Sequence, residues 1–588
     1  MMKVYWTRLC GFIMASVVCL AGPKLSSDFG QGAATDVVDA IVQFTVAPTD
    51  VTMKKMKDSH GCSEKKRLNS TKASLVSITR SQLAALAADP AVMFVSPDRK
   101  VYRTLDYSVP AVGAQQAQDQ VAAARAANVT SGAPVGIVVI DSGVSDHPDL
   151  RGTGKTGASR VVYSESFVAG QTGTASSVTD DAFGHGTHVA GIAAGNGASS
   201  TGAKYSATIK GLSPTANIIN LRVLDATGAG ADSAVIQAIE RAIDLKKQGK
   251  YNIRVMNVSL GRPVLDSYKN DPLCQAVEAA WKAGIVVVVA AGNLGRTSYV
   301  GNDGYGTITA PGNDPYVITV GAMKTMYTPA RSDDQMTSYS SKGPTVIDHL
   351  VKPDLVAPGN HIASTLSNYK TGNGFTYPEN IVPVSYFTKG NNKNASNTYF
   401  WMSGTSMATP MVSGAAALLL DRFPTLTPDQ VKARLMRTAS KSFPAEFVTV
   451  DKTGATYHTR SDIFTVGAGY LDVTAALNDS TPFTGQALSP AVSFDAATNT
   501  ASLVQATTAV WGDTVVWGDT VVWGDRVLAS HVLWSSGAVW STAGVTGNTA
   551  VWGDTVVWGD TVVWGDTAVW GDSKLVAESD RVTRYGDN

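Results

Sequence analysis

The stretch Gly404-Thr405-Ser406-Met407-Ala408-Thr409-Pro410 runs directly into Met411-Val412-Ser413-Gly414-Ala415-Ala416-Ala417-Leu418-Leu419-Leu420. It reads as a hydroxyl residue set between small neighbours at the mouth of an apolar helix. Small flanks let another backbone come close. A helix N-terminus directs unpaired N–H groups and the positive end of its dipole at the same place. Such a position suits a serine oxygen that attacks a carbonyl carbon, with donors ready for the oxyanion that follows. The plainer reading is that Thr405 or Ser406 merely caps a buried helix. Proline inside a helix is tolerated only near its first turn, so Pro410 fits a helix opened by Ser406.

A nucleophilic serine needs a base and a group that orients the base. Gly136-Ile137-Val138-Val139-Ile140 reads as a buried parallel strand and sets Asp141 at its C-terminal end, where open α/β sheets carry their chemistry. A turn aspartate is the bland alternative. Gly184-His185-Gly186-Thr187-His188 opens a second small-residue helix. His185 and His188 as a metal pair would be a poor ligand set, with no Cys or Glu near them in the sequence. The hydrophobic run from Val286 ends in Ala290-Ala291-Gly292-Asn293, whose amide could donate to an oxyanion. Taken alone, that asparagine is a turn residue.

Asp141, His185 and Ser406 in that chain order, with Asn293 between the last two, resemble the subtilisin-like serine peptidases. The resemblance spans roughly residues 125–475 and a leader before them. It implies Asp141 as orienter, His185 as general base and acid, Ser406 as nucleophile and Asn293 as oxyanion donor beside the Ser406 N–H. It implies that His188 is a non-catalytic neighbour, and that Ser259, Leu260 and Gly261 line the substrate cleft and pair with peptide backbone. Polypeptides are the implied substrates and no cofactor is required. Many relatives bind structural calcium, but no calcium loop can be matched here residue by residue, so the metal ligands stay unknown. The adjacent Asp180 and Asp181 read as a solvated pair.

The expected fold is α/β. A subtilisin-like parallel-sheet catalytic domain at 110–478 follows a small α+β, ferredoxin-like propeptide at 36–104. Within the catalytic domain, strands at 217–224, 255–261, 285–290 and 316–322 alternate with helices at 233–246 and 276–283. Ser338 to Pro344, Lys352 to Gly359 and Gly467 to Val473 also resemble family landmarks. Residues 360–402 read as a long polar surface insertion. The stretch from Asp106 to Ala127 reads as a bridge, with the chain cut between about Arg99 and Pro110.

In the leader, strands are expected at 37–44, 75–78 and 92–98, with a short helix at 81–87 ended by Asp89-Pro90. The spacing from Asp89 to Asp98 resembles the family's propeptides, which inhibit their own enzyme intramolecularly. Lys65-Lys66-Arg67 reads as a solvated loop. Residues 1–22 read as a secretory signal: Lys3 and Arg8 precede an apolar run too short to span a membrane. Of four cysteines, Cys10 and Cys19 lie in that signal, leaving Cys62 and Cys274 without an obvious bridge.

The 588 residues are 44% hydrophobic and 16% charged with formal net charge zero, which gives no reason to expect nucleic acid or an anionic membrane as partner. Beyond about 476 the composition changes. Trp-Gly-Asp recurs every six residues at Trp511, Trp517 and Trp523, and again at Trp552, Trp558, Trp564 and Trp570. The unit Thr-Val-Val-Trp-Gly-Asp combines strand-favouring and turn-favouring residues, as in a short β-solenoid or small hairpins. The span 505–573 is therefore read as a β-rich repeat tail: either a surface, polysaccharide or self-association module using exposed tryptophans, or a stalk or a repeat expanded by slippage. The expected function is a secreted, self-processed serine endopeptidase. The alternative is a catalytically silent surface or binding protein on the same scaffold.

Overall fold

A computed structural model describes residues 33–68, 72–97, 108–127, 133–152, 154–296, 304–367, 378–495 and 500–503, with positions 24, 25, 29, 526–528, 582, 583 and 585–587. The expected signal at 1–22, most of the expected processing stretch and the Trp-Gly-Asp units lie outside the described residues. The chain divides into two compact units, Met1–Tyr102 and Arg103–Asn588.

The first unit runs β1 (Val37–Phe44), α1 (Asp50–His60), β2 (Ser63–Leu68), β3 (Ala73–Thr79), α2 (Leu83–Ala88) and β4 (Val92–Pro97). Its sheet has the order β2-β3-β1-β4, and β1 pairs antiparallel with both neighbours. The alternation in β1 buries Ala40, Val42 and Phe44, which meet Val76 and Ile78 of β3 and Met53 and Met56 of α1 in one core. Thr49 and Thr52 cap α1 reciprocally, and Gly61 ends it with φ 66°. The basic run Lys65 to Arg67 is a correction to the sequence reading. It lies in strand β2, where Arg67 pairs with Glu64 and Lys65 with Asp39.

The second unit is built on a sheet of β5 (Gly136–Asp141), β6 (Val161–Ser166), β7 (Asn217–Arg222), β8 (Ile253–Val258), β9 (Val286–Ala290), β10 (Ile318–Lys324), β11 (Gln335–Met336) and β12 (Leu355–Pro358). The order is β11-β10-β9-β8-β5-β7-β6, with β12 also on β10. All pairings are parallel except β10 with β11. Every residue of β5, β9 and β10 is buried, so both faces of the sheet centre are covered and continuous Val/Ile runs are what it needs. Among the described residues, seven helices of six residues or more accompany it: α3 (Ala114–Ala126), α4 (His185–Ala194), α5 (Asp232–Lys247), α6 (Pro272–Lys282), α7 (Thr405–Arg422), α8 (Pro428–Thr438) and α9 (Val473–Asn478). Helix α7 is buried almost all round, as its lack of a polar face requires. The chain leaves β5 towards β6 and β7 on one side, then crosses to β8, β9 and β10 on the other. The β5/β8 boundary is thus the point where strand order reverses, and its carboxyl edge is where open α/β sheets place ligands.

Several expectations need correction. Helix α6 begins at Pro272, four residues before the expected Ala276, because Asp271 accepts from Leu273 N and Pro272 takes the first helical position. Residues 114–126 are no bridge: α3 buries Ala114, Ala117 and Val121 in the main core. The 360–402 segment is no mere insertion. It supplies β13 (Ile362–Thr365), β14 (Ile381–Pro383) and β15 (Ala395–Met402), a sheet of order β13-β15-β14. Ala363, Val382, Phe387 and Tyr399 of this segment are buried together with Ile209. Nor does the core stop at 478. Phe483, Ala487, Val492 and Val582 are buried in it, and Ser489 Oγ donates at 2.6 Å to the buried Asp354, which also pairs with Lys352 and Lys432.

Candidate active site

Asp141, Ser259 and Asn293 follow or end three consecutive strands of the sheet, β5, β8 and β9, so all three stand along one carboxyl edge. Two helices bring their N-termini to it. Helix α4 opens with His185 after Gly184, whose φ of 99° suits glycine. Helix α7 opens at Thr405 after Gly404, φ 146°.

The Asp141 carboxylate is fully buried and takes His185 Nδ1 at 2.8 and 3.0 Å. Its Oδ1 also accepts from Ser142 N at 2.7 Å. Burial would depress the His185 pKa, but the charge and hydrogen bond of Asp141 and the more distant charge of Asp181 outweigh it, so the ring titrates above its ordinary value. This pairing fixes the tautomer with Nδ1–H towards Asp141 and the lone pair on the other ring nitrogen, Nε2.

Asp181 is a site residue the sequence reading missed. Expected as half of a solvated pair, it is 1% exposed. One oxygen accepts from Ser142 Oγ at 2.8 Å and Gly184 N at 2.6 Å; the other accepts from Thr187 N at 2.8 Å and Thr187 Oγ at 2.6 Å. Burial raises its pKa and these donors pull it back. The net direction is upward, and both oxygens serve as acceptors for backbone N–H groups. The signal was available: an acid just ahead of a helix start is where the macrodipole favours negative charge. His188 points elsewhere, its Nε2 reaching the carbonyls of Phe400 at 2.9 Å and Ile362 at 3.1 Å. Burial pushes its pKa down to about 3, so it is a neutral structural donor. No group of metal-ligating side chains is present among the described residues.

On the serine side, Thr405 N donates to Asn293 Oδ1 at 2.9 Å and Thr405 Oγ to the same oxygen at 3.0 Å. A backbone N–H can only donate, so the amide oxygen must face Thr405 and the NH₂ must face away. Among the described residues neither Asn293 Nδ2 nor Ser406 N has a hydrogen-bond partner. Ser406 is half-buried, and its hydroxyl donates to Ser259 O at 3.1 Å rather than to His185.

Pro410 is the sixth residue of α7, one residue deeper than a helix opened by Ser406 would put it. Lacking an N–H, it leaves the Ser406 carbonyl without its i→i−4 donor. Ser259 Oγ supplies that donor at 2.9 Å and is itself held by Asn257 Nδ2 at 2.9 Å. The Ser259 side chain is therefore buried against α7 and not in an open cleft. Leu260 is half-buried and Gly261 exposed. A side chain at Gly261 would meet Thr309 Oγ at 2.6 Å.

Comparison with known proteins accords with this geometry. The model of the Subtilase family matches residues 132–508. Serine protease AprX of Bacillus subtilis is 37% identical over 381 residues, which is 64% of this chain and 76% of that one. Subtilisin E of the same organism is 32% identical over 446 residues, covering 74% of this chain and 94% of its own. Subtilisin J of Geobacillus stearothermophilus is 34% identical over the same length and shares. With the family model spanning more than half the chain and the sheet edge built as described, the protein belongs to the subtilase family and is a serine-type endopeptidase.

Proposed function

We propose that the chain cleaves polypeptides through Asp141, His185 and Ser406, with Asn293 and the Ser406 N–H receiving the oxyanion. One observation carries the reading: the Ser406 N–H and the Asn293 NH₂, two donors without partners among the described residues, stand on the same sheet edge as an imidazole tied to a buried carboxylate. Substrate binding turns the Ser406 hydroxyl from the Ser259 carbonyl to His185 Nε2. The oxygen then attacks the peptide carbonyl carbon while His185 takes its proton. The oxyanion lies between Asn293 Nδ2 and Ser406 N. Collapse breaks the C–N bond, and His185 returns the proton to the leaving amine. Water, deprotonated by the same ring, hydrolyses the acyl ester and restores the serine. Extended peptide running past Leu260 and Gly261 would add as a strand.

Residues 36–104 are read as a propeptide inhibitor, preceded in the chain by a secretory signal at 1–22. They have their own core and a final strand near the start of the main unit's chain segment. Casein digestion with and without a serine-directed inhibitor tests the core reading: inhibitor-sensitive digestion is expected, abolished in Ser406→Ala. That variant should also keep its leader, since one nucleophile serves both cuts. Digestion that survives the substitution, or none in the unaltered protein, overturns the assignment, the latter in favour of a silent scaffold. A chain lacking 23–104 should not reach an active form, and the separate leader should inhibit mature enzyme; equal activity without it would remove the propeptide role.

A further inference from the structure

Far along the chain, past the repeats, residues 582, 583 and 585–587 lie in the main unit, with Val582 and Asp587 fully buried. Three features select the triplet Tyr585-Gly586-Asp587. The Asp587 carboxylate accepts from Arg296 Nη2 at 2.7 Å, Ser338 Oγ at 2.6 Å and Ser338 N at 2.7 Å, an arrangement that demands an anion. Its backbone is clamped on both sides by Asn360, which donates to Asp587 O at 3.1 Å and accepts from Asp587 N at 2.9 Å. Gly586 has φ 60°, and a Cβ there would stand 2.1 Å from Asn360 Oδ1 and 2.4 Å from Ser403 Oγ, so only glycine fits. The half-exposed Tyr585 ring lies under Lys452, whose Nζ is 3.6 Å from its centroid. Such a contact is satisfied as well or better by tryptophan.

Aromatic, glycine and aspartate in that order are what the tail repeats. Trp-Gly-Asp occurs seven times between Trp511 and Asp572. We propose that the pocket formed by Arg296, Ser338, Asn360 and Ser403 is a receptor for aromatic-Gly-Asp triplets. Tyr585-Gly586-Asp587 fills it here, and the Trp-Gly-Asp triplets of the tail are ligands of the same class. The receptor adjoins the active site in sequence: Arg296 is three residues after Asn293, and Ser403 three before Ser406. The repeats are then a store of interchangeable ligands for the enzyme's own surface.

The test uses the full chain inactivated with a serine-directed sulfonyl fluoride and followed by hydrogen–deuterium exchange. Gly586→Ala should release residues 582–587 and raise their exchange by at least about tenfold, whereas Tyr585→Trp should leave them protected. Into the Gly586→Ala chain is titrated a fluorescein-labelled Thr-Val-Val-Trp-Gly-Asp peptide. It should bind at least about tenfold more tightly than Thr-Val-Val-Trp-Ala-Asp. Where a repeat of the same chain has already refilled the pocket, residues 336–340 and 358–362 stay protected instead, which supports the proposal equally. It is overturned if Gly586→Ala fails to release the segment, or if Tyr585→Trp releases it as fully. It is also overturned if the vacated pocket loses protection and the two peptides are not distinguished.

Discussion

Helices α4 and α7 reach the same sheet edge with the same device, a glycine at positive φ just ahead of a first turn that carries a candidate catalytic residue, His185 first in α4 and Ser406 second in α7, yet their N-termini are finished in opposite ways. At α4 the amides are consumed inside the protein: Ser142 Oγ takes Gly186 N at 2.9 Å and Asp181 takes Thr187 N at 2.8 Å. At α7 Asn293 takes Thr405 N and the Gly404 carbonyl takes Met407 N at 3.0 Å, while among the described residues the Ser406 N–H between them is left open beside the Asn293 NH₂. One helix end is closed with a buried carboxylate, whose charge adds to that of Asp141 in raising the His185 pKa. The other keeps its second amide open among the described residues, where the proposed reaction would place an anion. Equal dipoles therefore do different work according to whether the fold fills them.

Emptying the vacant end of its side-chain donor tests this most severely. Asn293→Ala should lower turnover by roughly 100- to 1,000-fold, about 2.7–4 kcal/mol of barrier, with little change in KM. The donor meets charge that appears only in the transition state. Because Asn293 also accepts from Thr405, the thermal midpoint should be measured alongside. A loss of turnover no larger than the accompanying loss of fold would reduce Asn293 to a clamp on α7.

Asp181→Asn addresses the filled end. The amide keeps the shape but offers one acceptor where the carboxylate served donors on both oxygens, so stability should fall by about 1.5–3 kcal/mol. The sign of the pH effect follows from the cause. His185 is held above its ordinary value by negative charge, so activity rises as pH climbs through that raised pKa and the ring loses its proton. Removing the Asp181 charge lowers the pKa, so the acid limb of the kcat/KM profile should move to lower pH. Asp141 remains the larger cause, and an unmoved limb would show that Asp181 acts on geometry alone.

The legibility of the molecule follows the same divide. Residues whose placement shows in chain order and local pattern were readable: Asp141 at the end of a Val/Ile run, His185 among glycines, Ser406 before an apolar helix. Residues whose role depends on distant partners were not. Asp181 looks solvated until Ser142 and Thr187 close round it from separate segments. The 360–402 segment reads as polar because its buried residues, Ala363, Val382 and Tyr399, are spread among polar neighbours and find their partners only when β15 pairs with β13 and β14. The boundary at 478 failed for the same reason. Ser489 completes a charge cluster whose other members lie at 352, 354 and 432, so a chain ending near Asp479 would strip a donor from a buried carboxylate and should be destabilised.

The smallest expected effect concerns Ser259, assigned from sequence to the substrate cleft. Its hydroxyl instead donates to the Ser406 carbonyl, the group that Pro410 leaves without a helical partner. Ser259→Ala should therefore leave a largely buried acceptor unsatisfied and cost about 1 kcal/mol of stability. It should change kcat/KM only slightly and equally for short and long peptide substrates, because the backbone that would pair with substrate is unaltered. Pairing the change with Pro410→Ala sharpens the reading. The alanine restores an N–H at the i→i−4 position, so the second substitution should recover part of what the first removed. The two effects are then non-additive, as expected for groups that share one acceptor. Additive losses, or a substrate-length dependence in Ser259→Ala alone, would return Ser259 to the cleft and leave the Ser406 carbonyl to be satisfied by water.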